Sequence, residues 1–180
     1  MLKIAIVGNI ASGKSTVEKI IETNGYKVYD TDKIAHEILA SKEEVLKAFG
    51  TNNRNELAKI VFSSPEKLKL LESIVHPEVK NELLKIFTSE ENIVFISVPQ
   101  LFEAGFENMF DKIIYITADR SIRKERLIKR NSYTPEEAQK RINAQSESNK
   151  KEKSDFIIEN NDSLGDLQNQ VLEILSILIR

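Results

Sequence analysis

Gly8-Asn9-Ile10-Ala11-Ser12-Gly13-Lys14-Ser15 satisfies the pattern G-x-x-x-x-G-K-[ST] at every position. Before it runs Leu2-Lys3-Ile4-Ala5-Ile6-Val7, a β-branched apolar stretch that predicts a buried strand. After it, Thr16-Val17-Glu18-Lys19-Ile20-Ile21-Glu22 predicts a helix. Strand, glycine-bounded loop and helix together separate a working P-loop from a turn that happens to contain a lysine. The glycines let the backbone turn tightly and aim several N–H groups at one anion, and the helix N-terminus adds partial positive charge. Lys14 can reach outer phosphates, and the Ser15 hydroxyl can ligate Mg²⁺. Gly8, Ala11, Ser12, Gly13, Lys14, Ser15 and Thr16 are therefore expected to line a nucleoside triphosphate.

The bulk properties narrow the class. A chain of 180 residues suits one domain, with room for an inserted subdomain. Apolar residues make up 41% and charged residues 30%, which is ordinary for a globular protein. A formal charge of −2 gives no global field for nucleic acid or membrane, so neither is an expected partner. The absence of cysteine excludes a disulfide framework and thiolate chemistry. The apolar start is too short for a signal-peptide core, and no stretch approaches transmembrane length. A cytoplasmic location is expected; oligomeric state is not legible.

Strand-like runs recur at 2–7, 26–29, 93–98, 112–116 and 155–159, mostly separated by helical patterns. The alternation predicts an α/β fold of three layers, a five-stranded parallel sheet with helices on both faces. Residues 31–87 hold helical segments and no convincing strand. Ser41-x-x-Glu44 reads as a capping box, Ser64-Pro65 as an N-cap before proline at the first helical position, and His76-Pro77 as a break or bend. A helical, substrate-covering insert is thus placed at 31–88. The charged region 119–153 contains a helix near 119–130, a second opened by the box Thr134-Pro135-Glu136-Glu137, and a polar run at 146–153. It fits a basic lid over the phosphates or a plain solvated hairpin. The last helix starts near Ser163, capped with Asp166, and carries the stripe Leu164, Leu167, Val171, Ile174 or Leu175, and Leu178.

A second motif must say which kind of P-loop protein this is. The one D-x-x-G, Asp162 to Gly165, follows the nearest approach to N-K-x-D, Asn149 to Glu152, so the order required of a GTPase is reversed. The strand at 93–98 ends in Pro99 instead of the aspartate a motor needs. Asp30-Thr31-Asp32 does stand well, at the carboxyl end of the second strand, where chemistry gathers in open parallel sheets. In an extended segment both carboxylates project to one side. Asp32 is assigned to the acceptor hydroxyl and Asp30 to the metal through water, although Asp32 is equally placed to cap a helix. Arg126 and Arg130 share a helix face, and Arg141 begins a second cluster with Gln145. Guanidinium groups of this kind stabilise a transferring phosphoryl group.

Taken together, these segments resemble the dephospho-CoA kinase family over nearly the whole chain. Asp30-Thr-Asp32-Lys-Ile-Ala-His-Glu37 is similar to its D-x-D segment. Arg54 to Leu57, Ile60 to Phe62 and Leu71 to Pro77 resemble its helical insert, and Val98-Pro99-Gln100-Leu101-Phe102-Glu103 its V-P-L-L-F-E turn. Arg126 to Arg130 and Arg141 to Gln145 resemble its lid, and Asp155 to Asn160 its last-strand motif. The resemblance implies transfer of the ATP γ-phosphoryl group to the ribose 3′-hydroxyl of dephospho-CoA, with Mg²⁺ accompanying ATP. It implies Lys14, Asp32 and Arg141 as catalytic residues, and Asn160 near the adenine. It also implies His76, Pro77, Pro99, Leu101, Phe102 and Glu103 around the acceptor. On residue chemistry alone His76 is a packed histidine and Phe102 a core residue. Gln100, Arg123, His36 and Asp162 depart from leucine, glutamine, arginine and glycine common in the family. Rival readings are a kinase of nucleosides or nucleoside monophosphates, and a slow ATP-hydrolysing switch.

Overall fold

The computed structural model describes residues 1–145 and 150–179. Five strands, β1 (Leu2–Gly8), β2 (Val28–Asp30), β3 (Ile93–Ser97), β4 (Lys112–Thr117) and β5 (Phe156–Glu159), form one sheet in the order β2-β3-β1-β4-β5. The pairings β1–β3, β1–β4 and β4–β5 are parallel. β1 is central because Ile4, Ala5, Ile6 and Val7 are an unbroken apolar run, none more than 2% exposed, as a strand covered on both faces must be. Its neighbours come from distant parts of the chain, so the sheet changes direction of growth at β1. The loop that follows opens at that switch point, where open α/β sheets bind ligands.

The second strand starts at Val28, two residues later than the pattern at 26–29 predicts. Tyr26 is diverted: its ring meets Phe95 edge to face at 5.5 Å between centroids. Just before β4 and β5, two aspartates extend the ladder at the strand starts. The Lys3 N–H donates to Asp111 Oδ2 at 2.8 Å, and the Ile113 N–H donates to Asp155 Oδ2 at 2.9 Å. Lys112 Nζ donates to the other Asp155 oxygen at 2.7 Å. Burial opposes ionisation of Asp155, but Lys112 and the Ile113 N–H outweigh it and hold the carboxyl below its ordinary range.

Eight α-helices are described: α1 (Lys14–Thr23), α2 (Thr31–Ser41), α3 (Glu43–Phe49), α4 (Arg54–Phe62), α5 (Pro65–Ile86), α6 (Arg120–Asn131), α7 (Pro135–Asn143) and α8 (Leu164–Leu178). α1 and α8 cover one face of the sheet: Val17, Ile21, Leu167, Val171, Ile174 and Leu175 pack against Ile4, Ile6, Phe95, Ile114, Ile116 and Ile158. Ser163 and Asp166 cap α8 reciprocally, as their spacing predicts. Leu164 does not join the stripe. It is 64% exposed, because it is the first residue after the cap and precedes the turn that meets the sheet. The Thr134–Glu137 box at α7 also forms in both directions. The polar run at 146–153 falls partly outside the described residues; Lys150 to Lys153 are turn.

Residues 30–91 form a compact helical unit of their own, and the residues before and after it form the other unit. Within the helical unit two sequence readings change. Ser41 opens no capping box; it ends α2, its hydroxyl donating to Glu37 O at 2.9 Å, and Lys42 takes the N-cap position of α3 without a side-chain cap. Lys42 Nζ instead reaches Glu78 on α5 at 2.6 Å and Glu44 at 3.2 Å. Those hydrogen bonds, Glu78 first, hold its pKa above the ordinary lysine value and pull Glu78 below the usual carboxylate range. His76-Pro77 does not end the helix: α5 runs through Pro77 without interruption. Val75, Val79 and Leu83 are all buried on one face of α5, and that packing outweighs the missing proline N–H. Ser64 caps α5 as expected, accepting from the Lys67 N–H at 3.3 Å.

Candidate active site

The phosphate loop is built from a backbone most residues avoid. Gly13 has φ 96° and Ala11 has φ 60°, both in the left-handed region, where a side chain is strained. At Gly13 the requirement is also steric: a Cβ there would lie 2.0 Å from the Asn160 amide nitrogen. That amide donates to Ser12 O at 2.8 Å. Arg126 adds a second brace. Its guanidinium donates to Asn160 O at 2.9 Å and, at longer range, to Ala11 O at 3.4 Å and Ser12 O at 3.5 Å. Gln145 supplies a third, its Oε1 accepting from the Ile10 N–H at 2.7 Å. These three side chains tie down carbonyl and amide groups of the loop.

Helices α6 and α7 share in this. Leu127 on α6 and Ala138 and Ile142 on α7 form a small core with Ile10, Ala11, Ile128 and Tyr133. The two apolar residues inside the octet therefore anchor the α6–α7 hairpin. The base of that hairpin is packed on the loop. Arg141 stacks on the Tyr133 ring at 4.5 Å. Arg130 is exposed and its Nε donates to neighbouring Asn131 at 2.9 Å. Lys14, the first residue of α1, donates from Nζ to Glu18 Oε1 at 2.7 Å and to Ser97 Oγ. Ser15 is exposed and Thr16 half-buried on the same first turn.

A sequence profile described as dephospho-CoA kinase matches residues 2–166. The chain is 38% identical to the dephospho-CoA kinase of Fusobacterium nucleatum, covering 93% of this chain and 94% of that one. The chain belongs to the dephospho-CoA kinase family. Among solved structures it is similar to a Thermus thermophilus protein (TM-score 0.86, 37% identity, 98% and 97% of the two chains). It is also similar to the dephospho-CoA kinase from Campylobacter jejuni (TM-score 0.73, 30% identity, 98% and 96%).

In this member of the dephospho-CoA kinase family, the remaining expected site residues divide by unit. Asp30 and Asp32 are not side by side on an extended segment. Asp30 ends β2 and is itself the cap of α2, its Oδ1 accepting from the Asp32 N–H at 2.9 Å. Asp32 is in the first helical turn and exposed. Asp30 keeps the extended backbone of an N-cap, φ −121° and ψ 114°, while the chain turns helical from Thr31, so the extended segment ends before Asp32. His76 on α5 is half-buried and Pro77 exposed. In the turn after β3, Leu101 is wholly buried and works as core. Phe102 is only half-buried, with Lys153 Nζ 5.5 Å from its ring centre; Phe106 takes the core place expected of it. Pro99 is half-buried, and exposed Glu103 receives Lys150 Nζ at 3.0 Å.

Of the departures, Gln100, His36 and Asp162 are exposed, whereas Arg123 is 2% exposed and its Nε donates to Ala118 O at 3.0 Å. Arg123 is thus a structural residue of α6. Glu18 and Ser97 are site residues that sequence reading missed. The Lys14–Glu18 spacing of four was a legible helical signal; Ser97 had none, since only the β1–β3 register, with Ile6 opposite Ser97, brings it to Lys14.

Proposed function

We propose that this kinase transfers the γ-phosphoryl group of ATP to the ribose 3′-hydroxyl of dephospho-CoA, giving CoA and ADP in the cytoplasm. The observation that carries the proposal is an intact, braced P-loop in a chain that matches the dephospho-CoA kinase family from residue 2 to residue 166. The acceptor oxygen attacks the γ-phosphorus, the bond to the β-phosphate oxygen breaks, and the acceptor proton passes to the Asp32 carboxylate. The loop amides and Lys14 hold the outer phosphates. Arg141, with Arg126 and Arg130, opposes charge on the moving group once the lid is engaged. Asn160 lies beside the adenine. His76 and Pro77 of the helical unit, and Pro99, Phe102 and Glu103 after β3, are the side chains assigned to the acceptor, with Leu101 holding that turn from the core.

The donor set fits a magnesium ion. Among the described residues no group of three or more His, Cys, Asp or Glu side chains could hold a metal. Mg²⁺ is usually held by substrate phosphates, waters and one or two protein oxygens. The exposed Ser15 hydroxyl would be one such oxygen, with Asp30 reaching it through water. When bound with the nucleotide, the ion neutralises phosphate charge. Among the described residues no helix is long and apolar enough to cross a membrane.

Asp32→Asn tests the assignment of the proton acceptor. It should lower kcat by roughly 10²–10⁴ while leaving thermal stability close to the parent value. A variant with parental kcat would contradict the role.

A further inference from the structure

Lys14 is already engaged by the chain itself. Its Nζ donates to Glu18 Oε1 at 2.7 Å and to the Ser97 hydroxyl. Ser97 is fully buried at the end of β3, and the Lys14 and Glu18 side chains are only 20% and 17% exposed. An ammonium has three N–H donors, so two are committed, one of them to a full negative charge. Helix stability does not explain the pair. A lysine preceding a glutamate by four is the weaker order of an i,i+4 pair, and a cation at a helix start opposes the macrodipole. Lys14 begins α1, whose first turn carries no acid.

We propose that Glu18 is a positioning residue: its carboxylate holds Lys14 in place of an outer phosphate oxygen, and a polyphosphate must displace it. The inference rests on reading the loop as the triphosphate site. A carboxylate and a phosphate oxygen make the same demand on an ammonium, and two anions beside one cation repel each other. Ser97 can keep its contact throughout, because a neutral hydroxyl adds no charge. Glu18 therefore opposes ligands whose phosphates reach Lys14, namely ATP and ADP, and is indifferent to AMP, whose single phosphate stops at the loop amides. The pair sets a threshold that discriminates by phosphate chain length.

Titration calorimetry of the full chain with ATP, ADP and AMP, at fixed salt and magnesium, tests this in wild type, Glu18→Gln and Glu18→Ala. Thermal melts confirm that each is folded, and alanine, the better helix former, carries the test if glutamine does not fold. The expected result is ATP and ADP binding tightened by about three- to fivefold with AMP unchanged. Unchanged or weakened ATP binding in the variants overturns the inference, and so does an equal shift for all three nucleotides. Wild type that binds no ATP would instead overturn the reading of the loop itself.

Discussion

At the scale of single residues, the loop carries strain that its neighbours hold in place. Ala11 at φ 60° is the one residue of the octet with both a Cβ and a left-handed backbone, a combination costing about 1–2 kcal/mol. Ala11→Gly should therefore raise stability despite the entropy glycine adds to the unfolded chain. A rise of about 2–4 °C in Tm is expected by differential scanning calorimetry, and a fall would mean that packing of Ala11 against the α6–α7 cluster matters more than the backbone. Gly13 behaves in the opposite way. Any side chain there collides with the Asn160 amide, which sits against Ser12 O. Asn160→Ala removes that brace without crowding the loop. Its expected signature is a higher KM for ATP with little change in the acceptor KM, read from initial rates at varied concentrations of each substrate. An acceptor effect alone would contradict the bracing role.

At the scale of elements, helix caps were the most legible features and breaks the least. Ser64, Thr134 and Ser163 cap as their spacing predicts because the partner N–H lies within three residues, so no distant information is needed. Ser41 failed because the two helices it might divide meet at Lys42, whose charge is taken by Glu78 on α5. Pro77 failed as a helix break for the same kind of reason: the buried Val75, Val79 and Leu83 face holds α5 together across it. Pro77→Ala should then stabilise the protein by about 1–2 kcal/mol, the gain of a helix N–H offset by a freer unfolded chain. If Pro77 also shapes the acceptor site, the acceptor KM rises as Tm rises. A lower Tm would contradict the continuous helix.

Asp155 belongs to the same scale, joining the start of β5 to β4. Its folded pKa is depressed below the ordinary carboxylate value, so its contribution is present above the unfolded pKa and is lost as pH falls through the folded one. Asp155→Asn should cost about 1 kcal/mol near neutrality, after allowing for solvent screening of the Lys112 pair. The difference between variant and parent in urea melts should close below about pH 4. A difference independent of pH would show that the hydrogen-bond geometry matters and the charge does not.

At the scale of the whole molecule, the α/β class and the five strands were readable from local pattern, since fully covered runs such as Ile4 to Val7 and Val94 to Ile96 are apolar throughout. Strand order was not readable, and with it went Ser97, whose meeting with Lys14 depends on β3 lying beside β1. The bracing of the loop by Arg126, Gln145 and Asn160 was half legible. Their types were singled out, but as ligands of phosphate or adenine, whereas their present bonds go to loop backbone. That distinction needs coordinates, because guanidinium and amide groups bond carbonyls as readily as phosphates. The catalytic assignment of Lys14 follows at this scale as well: Lys14→Ala should reduce turnover to near background, since no other described side chain is placed at its position in the loop.

The identity of the acceptor decides what this kinase does. Wild-type protein should be incubated with Mg-ATP and, in turn, dephospho-CoA, AMP, uridine or shikimate, following ADP release together with product mass. Stoichiometric ADP and a product heavier by one phosphoryl group are expected with dephospho-CoA alone; turnover confined to another acceptor, or ADP release indifferent to all of them, would contradict that assignment.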